Sequence, residues 1–170
     1  KKGSASKSQK SAAKKMQEMA NEMQMSMNSQ QQEQQEEDMG MLRALLENIV
    51  TLSFDQEALM GEFGKINSSD PIFNKLGQRQ RKLKDDAAMV EDSLFALSKR
   101  VPQISAAVNH EINLINEHMQ RAIEGMPDRK TGEITMHQQY TMTSFNNLAL
   151  MLDEALKQMQ QQSANSKPGS

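Results

Sequence analysis

Cysteine and tryptophan are absent from this 170-residue chain, tyrosine occurs once, proline four times and glycine eight times. Without cysteine there is no disulfide framework, no thiolate zinc centre and no thiol nucleophile. No run of about 18 apolar residues occurs, so no segment is built to span a bilayer as a helix. An excess of one charge is missing too, since 20 Lys and Arg stand against 22 Asp and Glu. A nucleic-acid grip needs concentrated positive charge, so that partner class is set aside. The chain opens on Lys1 with no signal-peptide pattern, and is expected to be a piece of a longer polypeptide.

Leu, Ile, Val and Phe together supply only 31 residues, a level at which disorder competes with folding. A net charge of −2 and 15 Met favour folding, because they limit self-repulsion and add buriable surface. Ala, Leu, Met, Gln, Glu and Lys abound, and their unbranched side chains lose little rotamer freedom in a helix. The fold class expected is all-α.

Residues 1–10 (KKGSASKSQK) are basic, small and polar, and are expected to be disordered. A helix over 11–29 carries Met16, Met19, Met23 and Met27 at spacings of 3, 4 and 4, which aligns the four thioethers on one stripe. Gln30–Asp38 is polar all round and reads as a solvated connector, completing an 11–38 segment. Leu42, Leu45, Ile49, Leu52, Gln56, Leu59, Phe63 and Ile66 then alternate spacings of 3 and 4, a heptad-like seam with one polar member. Leu46, Val50 and Met60 widen it.

Gly61, Gly64 and Asn67–Ser69 end that helix, and Asp70-Pro71 is expected to start the next as N-cap and first helical residue. Phe73, Leu76, Leu83, Ala87, Val90, Leu94 and Leu97 continue the pattern. Val101, Ile104, Val108, Ile112, Ile115, Met119 and Ile123 carry the same 3/4 phase through Pro102. That intact phase predicts one long helix over 71–124, kinked near Pro102; a turn at 100–102 is the alternative. After Gly125, Pro127, Asp128 and Gly132, a last helix over 133–161 presents Thr141, Phe145, Leu148, Leu152, Leu156 and Met159. The architecture expected for 39–162 is an elongated antiparallel helical bundle or coiled coil of three long helices, preceded by the Met-rich helix and followed by a disordered tail at 163–170.

Chemistry is sparse. Clustered thioethers at Met16, Met19, Met23, Met25 and Met27 suit soft Cu(I), but the same spacing is what packing requires. His110 and His118 are eight residues apart, yet no Glu lies three before any His, so the di-iron bundle template fails. Glu133 and His137 are one turn apart and form a lone chelating pair; all three histidines are expected at the surface. Arg79, Arg81, Lys82 and Lys84 are followed at once by Asp85 and Asp86, a salt-bridge-laced face. Neither a nucleophile elbow nor a phosphate loop is present. The expectation is therefore no catalytic residue, no cofactor, no metal and no small-molecule substrate.

Four stretches carry a resemblance: residues 5–25 (ASKSQKSAAKKMQEMANEMQM), 36–67 with LENIVTLSFDQE, 81–104 with VEDSLFALSKRVPQI, and 137–162 (HQQYTMTSFNNLALMLDEALKQMQQQ). The chain resembles the C-terminal helical region of an uncharacterised Bacteroidota family of large membrane-anchored envelope proteins, a domain of unknown function. The resemblance implies a cell-envelope location on the periplasmic side of the inner membrane, with membrane attachment only through an anchor outside this segment. It carries over no catalytic residue. The function expected is a non-enzymatic interaction or scaffolding segment, binding protein partners or a second copy through its helices, with Met16, Met19, Met23 and Met27 as the partner-binding stripe. The alternatives are a Met-rich copper-binding segment, or a passive spacer for a functional N-terminal part.

Overall fold

The structure is a computed structural model that describes residues 2–166. It is all-α: helices α1 (Lys2–Lys65), α2 (Phe73–Ser98), α3 (Ser105–Glu124) and α4 (Thr131–Asn165), with one turn of 3₁₀ helix at Pro102–Ile104. Among the described residues there is no strand. The chain divides into two units, with the boundary in sequence between Glu37 and Asp38.

Two sequence expectations are corrected at the ends. Residues 2–10 belong to α1 where a disordered tail is expected. Residues 163–165 extend α4 where a disordered tail is expected; the remainder of that tail, 167–170, lies outside the described residues. The reason is propensity: Ala, Met, Gln, Glu and Lys run without a Pro from Lys2 to Lys65.

Within the unit that begins at Asp38, the seams fold as spaced. Leu42, Leu45, Ile49, Leu52, Leu59 and Phe63 of α1 are buried, as are Phe73, Leu76, Leu83, Ala87, Leu94 and Leu97 of α2. Val108, Ile112, Ile115 and Met119 of α3 and Phe145, Leu148, Leu152, Leu156 and Met159 of α4 complete the core. Val50, expected to widen the α1 stripe, is instead 37% exposed.

The kinked helix over 71–124 does not form. Lys84 Nζ donates to Gln120 Oε1 and Gly77 packs against the Met126 side chain. In one continuous helix Lys84 and Gln120 would stand roughly 54 Å apart. The chain reverses instead, as in the alternative turn. Pro102 disfavours the α conformation at the preceding residue, and Val101 takes φ −121°, ψ 83° before the 3₁₀ turn. Arg100 then reaches the nearly buried Asp38, Nε to Oδ1 at 3.0 Å.

The other connections are held by side-chain hydrogen bonds. Asn67 Oδ1 accepts from the Ser69 N–H and hydroxyl, and Asp70 Oδ1 accepts from the Ile72 N–H at 3.0 Å. Asp70 is therefore not the N-cap expected of it: α2 begins two residues later, at Phe73, with Ile72 as its N-cap and no side-chain cap hydrogen bond, and the Asp70 carboxylate instead closes the turn that precedes the helix. Arg129, in the left-handed region at φ 52°, donates from Nη1 to the carbonyls of Ser68 and Asp70 and lies 4.9 Å over the Phe73 ring. One side chain thus ties the 67–72 connection to the 125–130 connection.

Candidate functional site

Two features stand out from the folded scaffold: an exposed apolar stripe and a set of buried polar groups. The stripe lies in the unit that ends at Glu37. Residues 3–34 are all exposed, and the thioethers with them: Met16 69%, Met19 60%, Met23 64% and Met27 54%. The four Met share one helix face, as their spacing requires. Helix here draws nothing from side-chain burial, because no side chain from residue 3 to residue 34 is buried.

The buried polar groups lie in the unit from Asp38 onward. Gln56 of α1, Gln80 of α2 and Gln138 of α4 have no solvent exposure. Gln80 Oε1 accepts from Gln56 Nε2 at 2.9 Å and from Gln138 Nε2 at 3.0 Å, and Gln80 Nε2 donates back to Gln56 Oε1 at 2.9 Å. Along α1 this amide layer falls between Leu52 and Leu59, and along α2 between Leu76 and Leu83. Those flanking residues belong to two separate hydrophobic clusters. Gln138 Oε1 is left without a partner. Sequence reasoning noted only Gln56, because it alone interrupts a strict seam.

Histidines are redistributed relative to expectation. His110 is exposed, but His118 of α3 is half-buried and His137 of α4 is buried, which corrects their assignment to the surface. Their Nδ1 atoms stand 3.0 Å apart, and the rings stack with centroids 5.3 Å apart. The Tyr140 ring also stacks with His118, centroids 4.8 Å apart. Burial holds the His137 imidazole below its ordinary value near 6.5; the His118 and Arg121 charges add to this, and Glu133 and Glu117 oppose it. The only sequence signal for this cluster was the one-turn spacing of Glu133 and His137. Among the described residues no three His, Asp or Glu side chains already converge on one point.

Glu91 of α2 is a third polar group in the core. Burial pushes its carboxyl up to about 7 from an ordinary 4.5; the Asn116 hydrogen bond opposes the rise, Asp92 adds to it and Lys84 opposes it. Its Oε1 has no hydrogen-bond partner, and neither has Oε2 of the buried Glu111. The basic run at 79–84 is a salt-bridged face as expected, with Arg79 paired to Glu62 and Lys82 to Asp86.

No helix among the described residues is long and apolar enough to cross a membrane. No protein-family profile, curated protein or solved structure matches the chain.

Proposed function

We propose that this chain is a non-enzymatic interaction and scaffolding segment in which helices 38–166 form an antiparallel bundle and the Met16–Met27 face docks a protein partner. The observation that carries this reading is the exposure of four aligned thioethers on a helix with no buried residue between 3 and 34. A helix that presents one apolar stripe and is polar elsewhere suits a hydrophobic groove or another helix. Met adapts its unbranched, polarizable side chain to such surfaces. The resemblance to the Bacteroidota envelope family makes the periplasmic side of the inner membrane the proposed location.

The test is affinity purification of the parent protein from gently solubilised envelopes, with quantitative mass spectrometry. A stoichiometric partner that disappears when Met16, Met19, Met23 and Met27 are all changed to Gln supports the docking face. The substitution keeps helix propensity while removing the apolar stripe. An unchanged partner set, or none, overturns it and moves the search for function to the rest of the parent protein.

The same exposure keeps the Cu(I) reading alive, since five thioethers including Met25 are accessible within three turns. Cu(I) titration of the chain separates the two: uptake lost in the four-Gln variant favours metal handling, and its absence rejects it.

A further inference from the structure

Charge along the unit that ends at Glu37 is split by sign. All six lysines of residues 1–37 lie at 1–15, which holds no acidic residue, and all five glutamates lie at 16–37, which holds no basic one. The exposed thioethers Met16 to Met27 sit between the lysines and Glu33. A helix with such a 3/4 stripe is one strand of a coiled coil. Two antiparallel copies meet about a two-fold axis, a closed and self-complementary contact. A pair centred on the stripe sets Met16 level with Met27 of the second copy. The same register brings Lys10 level with Glu33 and Lys7 level with Glu36, each match occurring twice by symmetry. Packed helices lie about 8–10 Å apart, within roughly one Debye length at 0.1 M salt, so opposite halves attract even where their side chains do not touch. A parallel pair in register sets lysine against lysine and glutamate against glutamate. A parallel stagger that matches sign slides the thioethers onto the lysine half. The antiparallel pair alone satisfies stripe and charge together.

We propose that the partner of the Met16–Met27 face is a second copy of this chain, paired antiparallel along the 3–37 stretch of α1, with the lysine half of each helix beside the glutamate half of the other. This rests on the docking reading above and names its partner. Flexible thioethers from both copies interdigitate at the centre of the seam. Ala12 and Gln30 continue the seam on either side of the stripe and come within one residue of level across the pair.

Analytical ultracentrifugation of the full chain should show a dimer that weakens as NaCl rises. Chains carrying Lys7→Glu with Lys10→Glu, or Glu33→Lys with Glu36→Lys, should each dimerise about fivefold or more weakly. An equimolar mixture of the two should recover the parent affinity, because the antiparallel mixed pair has opposite signs at both ends. Circular dichroism verifies that these variants keep their helix content. Direction is read by cross-linking, since the chain has no cysteine of its own. Under mild oxidation Ala12→Cys chains should link to Gln30→Cys chains and not to one another. The four-Gln methionine variant should be monomeric. A parent chain that is monomeric even at about 0.1 mM overturns the self-pairing; a foreign partner lost in the four-Gln variant would then leave the docking face standing. A dimer that survives in the four-Gln variant overturns both readings. Linking of Ala12→Cys chains to one another, or no recovery in the charge-swapped mixture, overturns the antiparallel pair.

Discussion

Gln56 and Gln80 exchange two amide hydrogen bonds, each 2.9 Å long, at positions with no solvent exposure. Gln138 adds a third bond to Gln80 Oε1, which makes Gln80 the shared member of the layer. A slip of one turn in any of these helices would place an amide among aliphatic side chains with no partner, and that desolvation is costly. The layer therefore sets register more than it adds stability.

Removing Gln80 should be worse than removing the whole layer. Gln80→Ala strands the amides of Gln56 and Gln138, and urea unfolding should show a loss of about 2–4 kcal/mol. Changing all three to Leu should leave stability equal or higher, because well-packed apolar residues replace a buried polar network. The cost of the triple change should appear as a loss of uniqueness, visible as broadened amide resonances. A triple variant less stable than Gln80→Ala would refute this account.

The seams can be checked by truncation. Leu52 and Leu97 are buried at 6% and 0% exposure, and Ala at either site should cost about 2–5 kcal/mol in denaturant unfolding. Phe54, 64% exposed beside Leu52 in sequence, is the control: Phe54→Ser should change stability by less than about 0.5 kcal/mol. Similar losses at Leu97 and Phe54 would mean that the face assignment is wrong.

The helical class and most core positions were legible because the 3/4 spacing of Leu42 to Phe63 and of Phe145 to Met159 reports directly which side of a helix is apolar. Direction was not legible. Leu97, Val101 and Ile104 are all buried, so the spacing continues unbroken while the chain reverses between them. Periodicity records faces and says nothing of where a helix turns back; the signal that did exist was the restriction Pro102 places on Val101. The buried Gln80, Gln138, His137 and Glu91 were hidden for a related reason. Each is polar, and only contacts between helices distant in sequence reveal that it points inward.

Gly77 offers a stabilising change. It lies within α2, where glycine costs backbone entropy, and a Cβ there would meet Met126 Sδ at 3.6 Å and Cγ at 3.7 Å, ordinary contact distances. Gly77→Ala should raise stability by about 0.5–1 kcal/mol in urea unfolding. At Gly125 the same change sets a Cβ 3.0 Å from Ile134 Cγ1, inside a filled cluster, and should give no such gain. Destabilisation by Gly77→Ala would show that the α2–Met126 contact is tighter than it stands here.

Glu91 makes stability fall as pH rises. Burial raises its folded-state pKa to about 7 from 4.5, so the buried carboxyl stays protonated after the unfolded chain has ionised. The stability this provides is complete below 4.5, declines between 4.5 and about 7, and is lost above that range. At roughly 1.36 kcal/mol per pH unit the window is worth about 3 kcal/mol. Glu91→Gln keeps the shape and a neutral side chain at every pH, so its urea midpoint should exceed that of the parent chain above pH 7 and converge with it near pH 4. The difference between the two midpoints, plotted against pH, isolates this carboxyl from every other titrating group they share. A difference that stays constant from pH 4 to pH 8 would show that Glu91 ionises in the folded chain as it does in water.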